Sequence, residues 1–131
     1  MTPEPVFLDV DEVLLIHDEQ LAGFGGGAGI RDRGGLESAV AQAQASFGGE
    51  FVHTTLYEMS AAYAFHIAQN QPFVDGNKRT ALVAALVFLE LNGIEILDPE
   101  GHLYDAMIGF AERRLDKHGF AALLERLVSA R

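Results

Sequence analysis

Within Gln71-Pro-Phe-Val-Asp-Gly-Asn-Lys-Arg-Thr80, a turn formula, Asp75-Gly76-Asn77, runs directly into two cations, Lys78 and Arg79. The residues that follow, Ala81-Leu-Val-Ala-Ala-Leu-Val-Phe-Leu89, are apolar without a break and read as a helix, so the cations fall in its first turn. A cation there opposes the positive end of the helix dipole by ~0.3–1 kcal/mol. A bound anion would offset that cost. The turn supplies backbone N–H groups, the helix supplies its dipole, and Lys78 and Arg79 supply charge, which together suit a phosphate. Asp75 places a carboxylate beside that phosphate, where Mg²⁺ could bridge the two. The competing reading of the same residues is a capped turn whose Lys78 and Arg79 point into solvent or pair with acids.

Six helices can be read around this segment. The first spans about Asp11 to Ala22, with Asp9 and Glu12 spaced as a capping box. The second spans about Leu36 to Ala45, with apolar residues at 36, 39, 40 and 43 on one face. The third starts after Thr54 or Thr55, capped with Glu58, and runs to about Ala68. The fourth runs from about Asn77 to Leu91 and stops at Asn92-Gly93. Asp98-Pro99-Glu100 reads as the start of a fifth, because proline suits a first helical turn. Asp116 caps a sixth that ends near the C-terminus. Strand signals are weak: Val6 to Leu8, Ile94 to Leu97, and Phe51-Val52-His53 as one arm of a hairpin. The fold class is therefore all-α. A helix apolar on every face is surrounded by protein, so residues 77–91 are expected at the centre, packed on all sides.

At 131 residues the chain suits one domain, residues 1–131. Its net charge of −10 (9 − 19) argues against nucleic-acid or anionic-membrane binding, which need a basic face. The absence of cysteine excludes disulfides, thiolate metal sites and cysteine nucleophiles. The acidic N-terminal stretch carries no signal pattern, and the longest apolar run is too short to span a bilayer, so a soluble cytoplasmic protein is expected.

Other candidates are weaker. The glycine cluster at 25–29 lacks a following Gly-Lys-Ser/Thr and reads as a flexible connection. Phe7-Leu-Asp-Val-Asp-Glu-Val-Leu14 is similar to the haloacid-dehalogenase nucleophile motif, but no strand–helix alternation follows and Asp9 reads as a cap. His17, His53, His102 and His118 show no metal-ligand spacing and read as surface or capping residues, with His53 near enough to the hairpin to touch a substrate. His66 reads as packing on its own helix rather than as a base. Arg31 reads as structural, paired with an acid.

The segment from Gln71 to Arg79 closely resembles the signature of the Fic/Doc family, HxFx(D/E)GN(K/G)R. Glu12-Val-Leu-Leu-Ile-His17, Gly29-Ile-Arg-Asp32, Leu36-Glu-Ser-Ala39, Phe47-Gly-Gly49 and Leu86-Val-Phe-Leu-Glu-Leu-Asn-Gly93 extend the resemblance over nearly the whole chain, toward the shorter Doc (death-on-curing) branch. It implies a compact helical bundle with a small flap hairpin near 48–54. It further implies Phe73 as the loop's core anchor, Asp75 as the Mg²⁺ ligand, and Gly76 and Asn77 as the anion-hole turn, with Asn77 also contacting phosphate. Arg79 would contact the nucleotide phosphates. Lys78 stands where the Doc branch has Lys and the AMP-transferring branch has Gly. That implies transfer of the ATP γ-phosphate to a hydroxyl of elongation factor Tu, with translation arrest, as the toxin of a toxin–antitoxin pair. Fic-type AMP transfer and a non-catalytic binding protein are the alternatives.

The signature begins with His, and this chain has Gln71. Glutamine hydrogen-bonds a hydroxyl but has no accessible protonation near neutral pH, so it cannot act as the general base. A single nucleotide separates His from Gln codons, and the other signature positions are intact, which reads as a competent site with its base removed. The family's built-in inhibitory motif, Ser/Thr-x-x-x-Glu-Gly/Asn, is incomplete at both Ser46–Glu50 and Thr54–Glu58, where Phe51 and Met59 take the last place. The resemblance therefore implies a separate antitoxin chain, whose tail folds into a groove on the bundle.

Overall fold

The computed structural model describes residues 4–129 as six α-helices and one two-stranded ribbon. They are α1 (Val10–Phe24), α2 (Arg33–Gln42), β1 (Ser46–Phe47), β2 (Glu50–Phe51), α3 (Leu56–Asn70), α4 (Asn77–Leu91), α5 (His102–Ala111) and α6 (Lys117–Arg126). Caps explain most of the starts. Asp9 accepts from the Glu12 N–H at 2.8 Å while Glu12 accepts from the Asp9 N–H at 3.2 Å, the reciprocal box that opens α1. Thr55 caps α3 through the Glu58 N–H, and Glu58 reaches back to the Thr54 N–H. Asp116 caps α6 through the Gly119 N–H at 2.8 Å.

Three expectations need correction. Helix α2 begins at Arg33, three residues before Leu36, because Asp32 caps it through the Gly35 N–H. Helix α5 begins at His102 and not at Pro99. The Gly101 N–H bonds to the Asp98 carbonyl in a turn, and the Asp98 carboxylate accepts from the His102 and Leu103 N–H groups. Asp98 thus caps across a whole turn. The hairpin pairs Ser46 with Phe51 and Phe47 with Glu50 around Gly48-Gly49, so it lies at 46–51, with Val52 tied to Ala45 and His53 outside it. Of the weak strand signals, Ile96 forms one bridge with Val128, and Val6 is held instead by the Asn92 side chain.

Helix α4 forms with the expected bounds, but its enclosure is one-sided. Thr80, Ala81, Ala84, Ala85, Phe88 and Leu89 are buried, whereas Leu82, Val83, Leu86 and Val87 are partly exposed and Leu91 is exposed. The more completely buried helix is α3, where Met59, Ser60, Ala61, Ala62, Tyr63, Ala64 and Ile67 are all covered. The reason is side-chain size. Ser60 and the alanines of α3 meet the alanines of α4 closely enough for the Ser60 hydroxyl to donate to the Ala85 carbonyl at 2.8 Å. A run of small residues lets neighbouring helices approach on several sides, which bulky Leu and Val cannot do. Tyr63, wholly buried, accepts from the Leu8 N–H at 2.8 Å and donates to the Leu8 carbonyl at 3.1 Å, tying the entry to α1 onto this core.

Where α3 meets α6, Lys117 Nζ donates to His66 Nε2 at 3.1 Å, beside the Phe65 ring. Burial first, then the Lys117 ammonium and His53, hold the His66 imidazole down at about 4. His53 is lowered as well, by burial and then by Lys117. The unfolded chain takes up the His66 proton near the ordinary 6.5, and the folded chain only at about 4. Its contribution to stability is therefore complete above pH 6.5 and is lost as pH falls between those values. Because the ring is partly solvated, we expect a loss of order 1 kcal/mol after allowance for screening. Between pH 7 and 4.5 the unfolding free energy of the wild type should fall relative to that of His66→Gln; parallel profiles would refute the assignment.

Candidate functional site

The turn between α3 and α4 carries Gln71 to Gly76, and four separate devices hold it. Gln71 ends α3 in the left-handed conformation, φ 46°, and its carbonyl accepts from Arg31 Nη2 at 2.6 Å and Nε at 3.1 Å. The expected acid partner of Arg31 is thus replaced by the orphan carbonyl at a helix end, which needs a donor as much as a carboxylate does. Phe73, 1% exposed, anchors the turn in the core, as expected from the sequence. Asn77 clamps it: its Oδ1 accepts from the Phe73 N–H at 2.9 Å and its Nδ2 donates to the Phe73 carbonyl at 3.0 Å. The Asn77 amide is thereby committed to closing the loop.

The fourth device is His17, expected from the sequence as a surface or capping residue. It is buried at 3% exposure, lies flat on the Phe73 ring with centroids 3.8 Å apart, and donates from Nε2 to the Asp75 carbonyl at 2.8 Å. Val13, Ile16 and His17 follow the i, i+3, i+4 stripe that α1 turns to the core, and that periodicity was the available signal. His17 also lies beside Gly76. A Cβ there would sit 3.7 Å from the imidazole, on a backbone of φ +77° that disfavours any side chain.

The glycine segment at 25–29, expected as a flexible connection, is tied by hydrogen bonds to the turn that carries the site. The Gly27 N–H donates to Asp75 Oδ2 at 3.0 Å, the Val74 N–H donates to the Gly29 carbonyl at 3.1 Å, and Ile30 bridges Phe73. A Cβ on Gly26 would come within 3.3 Å of Asp75 Cβ, and one on Gly27 within 3.3 Å of Val74. Side chains pack tightly on both glycines, so a Cβ at either would force its neighbour to give by a few tenths of an ångström, and the φ of +119° at Gly26 disfavours any side chain there.

Helix α4 therefore starts, at Asn77, from a fixed left-handed Gly76 with no side-chain cap on its first N–H groups. Lys78 is exposed and Arg79 half-buried, its guanidinium 4.5 Å from the centre of the Phe24 ring. Gln71, Asp75, Gly76, Asn77, Lys78 and Arg79 all line one cleft of about 970 Å³, bounded on its other side by α5 and the turn before α6. So the structure brings every sequence-predicted site residue except the buried anchor Phe73 into the lining. His66 is outside that lining, held by Lys117. His17 and Arg31 act on the loop from behind, and Arg113 and Arg114 join the lining from the α5–α6 turn; sequence reading assigned none of these four to the site.

The donor set bears on the metal. Among the described residues no group of three His, Cys, Asp or Glu side chains could hold an ion. Asp75 is exposed, with one carboxylate oxygen engaged by Gly27 and the other without a donor among the described residues. A single carboxylate suits Mg²⁺ that arrives with substrate phosphates and keeps its waters, and does not suit a resident ion in a protein cage.

An all-helical domain whose open cleft presents an uncapped, cation-bearing helix start beside one carboxylate has the makings of an anion-binding domain. Residues 7–89 match the Fic/DOC family, and the chain belongs to that family. It is 37% identical over 118 residues to Protein kinase doc of Escherichia phage P1, covering 89% of this chain and 91% of that protein. To Toxin Doc of Mycolicibacterium smegmatis it is 40% identical over 90 residues, covering 69% of this chain and 67% of that protein. No helix among the described residues is long and apolar enough to cross a membrane.

Proposed function

We propose that this protein is a Doc-like toxin whose cleft binds ATP and passes its γ-phosphate to a hydroxyl of a translation factor, elongation factor Tu by family resemblance, with a separate antitoxin chain as its partner. The observation that carries the reading is the start of α4. The uncapped start of α4, with Lys78 and Arg79, lines a cleft large enough for a nucleotide. The relative from phage P1 bears the name of a protein kinase, which favours phosphoryl over AMP transfer.

In this reading the α4 N–H groups and Arg79 hold the phosphates, and Lys78 balances the charge that builds up on the transferred group. Mg²⁺, when bound with the nucleotide, would supply further charge neutralisation next to Asp75. The attacking hydroxyl must approach Gln71, whose amide can orient it but cannot take its proton. Chemistry as the chain stands is therefore slow while binding is intact. Gln71 also supports a second reading, a protein that binds nucleotide or partner without transfer.

Arg79→Ala tests the phosphate assignment. A charge-assisted bond to phosphate contributes about 1.5–3 kcal/mol, so calorimetry should show ATP affinity weakened about 10- to 150-fold. Unchanged affinity would remove the anion site from the start of α4. With ATP labelled separately at the α- and γ-positions, the γ-label should reach the protein acceptor; transfer of the α-label would establish AMP transfer instead.

A further inference from the structure

Facing the start of α4 across the cleft is the turn that joins α5 to α6, and two of its residues, Arg113 and Arg114, line the same space. The chain has nineteen acids to nine cations, a ratio of about two to one (19/9). In the cleft that ratio is reversed: Lys78, Arg79, Arg113 and Arg114 stand against Asp75 and Asp116. Nearly half of the protein's cations thus converge on one concavity of a strongly acidic molecule, from two elements distant in sequence.

The far pair is available for a ligand. Both arginines are exposed, and Arg113 has no ion-pair or hydrogen-bond partner for its guanidinium among the described residues. Arg114 meets only Glu112, at 3.0 Å, in a pair more than half exposed on both sides and readily exchanged. The turn itself is firm. The Arg113 N–H donates to the Phe110 carbonyl at 3.1 Å and the Arg114 N–H to the Gly109 carbonyl at 2.8 Å, so the two guanidiniums spring from an anchored backbone.

We infer that Arg113 and Arg114 form a second anion subsite, which engages the phosphate chain of the nucleotide beyond the phosphate held at α4, so that the cleft selects triphosphates over monophosphates. The inference rests on the nucleotide reading above. Cations on two facing walls call for a ligand with several anionic groups on one short chain, which a polyphosphate has and a lone carboxylate lacks. Guanidinium forks also match phosphate oxygens two at a time.

The test uses orthophosphate, tripolyphosphate, AMP and ATP, titrated by calorimetry without divalent cation into the wild type and the double variant Arg113→Gly/Arg114→Gln. Glycine suits the φ of 59° at position 113, so this variant keeps its turn, and an unchanged melting temperature verifies that. Affinity for tripolyphosphate and ATP should fall about tenfold or more, and affinity for orthophosphate and AMP less than about twofold. An equal loss for all four, or no loss for tripolyphosphate, overturns the subsite. So does a wild type that binds neither polyphosphate more tightly than orthophosphate. If the pattern holds for tripolyphosphate while ATP fails to bind the wild type, the subsite stands and the nucleotide reading falls. If ATP affinity is unchanged and only binding of the acceptor protein suffers, the arginines belong to the acceptor's dock and the inference is wrong.

Discussion

Gln71→His is expected to raise the rate of γ-phosphate transfer by ~10²–10⁴, the usual contribution of a positioned general base. The basis is that the rest of the loop is already held in place by hydrogen bonds. The position-71 carbonyl is clamped by Arg31, the following loop is closed by Asn77, and His17 supports it from the core. An imidazole introduced at 71 enters a finished cleft and supplies only the missing proton acceptor. Bacteria expressing the chain as it stands should grow nearly normally, and those expressing Gln71→His should arrest. Adding Asp75→Ala should restore growth, because it removes the carboxylate beside the α4 start, where a nucleotide-borne Mg²⁺ would bind. Equal growth of all three strains at matched soluble expression would leave the binding-only reading in possession.

Asn77→Ala should be the most damaging change in the loop. Its amide makes two partly buried hydrogen bonds to one residue, Phe73, and its removal strands a donor and an acceptor together. At about 1–3 kcal/mol for each of the two groups left unpaired, a stability loss of about 2–6 kcal/mol is expected in denaturant unfolding. Anion affinity should fall with it, since the N–H groups at the α4 start lose their fixed aim. Asn77→Asp separates the two effects. Its carboxylate can still accept from the Phe73 N–H and favours the helix dipole, so stability should partly recover. The added negative charge opposes phosphate, so affinity should not. If Asn77→Asp bound ATP as well as the wild type, phosphate would not sit at the start of α4.

The sequence alone determined the helices, their order and most of their ends, because these follow from local causes. Asp9, Thr55 and Asp116 cap the neighbouring N–H groups wherever the helices later pack. It also determined which segment carries the candidate site, since cations in a helix's first turn, next to Asp-Gly-Asn, are locally unfavourable and so conspicuous. Where local signals competed, sequence reading erred. Proline at 99 suggested a helix start, but Asp98 caps from a turn earlier. What only the tertiary structure decided involves partners far apart along the chain. Gly27 reaches Asp75 across 48 positions, Arg31 reaches Gln71 across 40, and His17 reaches Asp75 across 58. No periodicity encodes such pairings, because each depends on how α1 is laid against the α3–α4 turn. Likewise the choice of α3 over α4 as the more enclosed helix follows from close approach at alanines, which a hydropathy pattern scores below the leucines that remain half-exposed. The meeting of Arg113 and Arg114 with Lys78 and Arg79 is of the same kind: composition counted the cations, and only folding put four of them around one cleft.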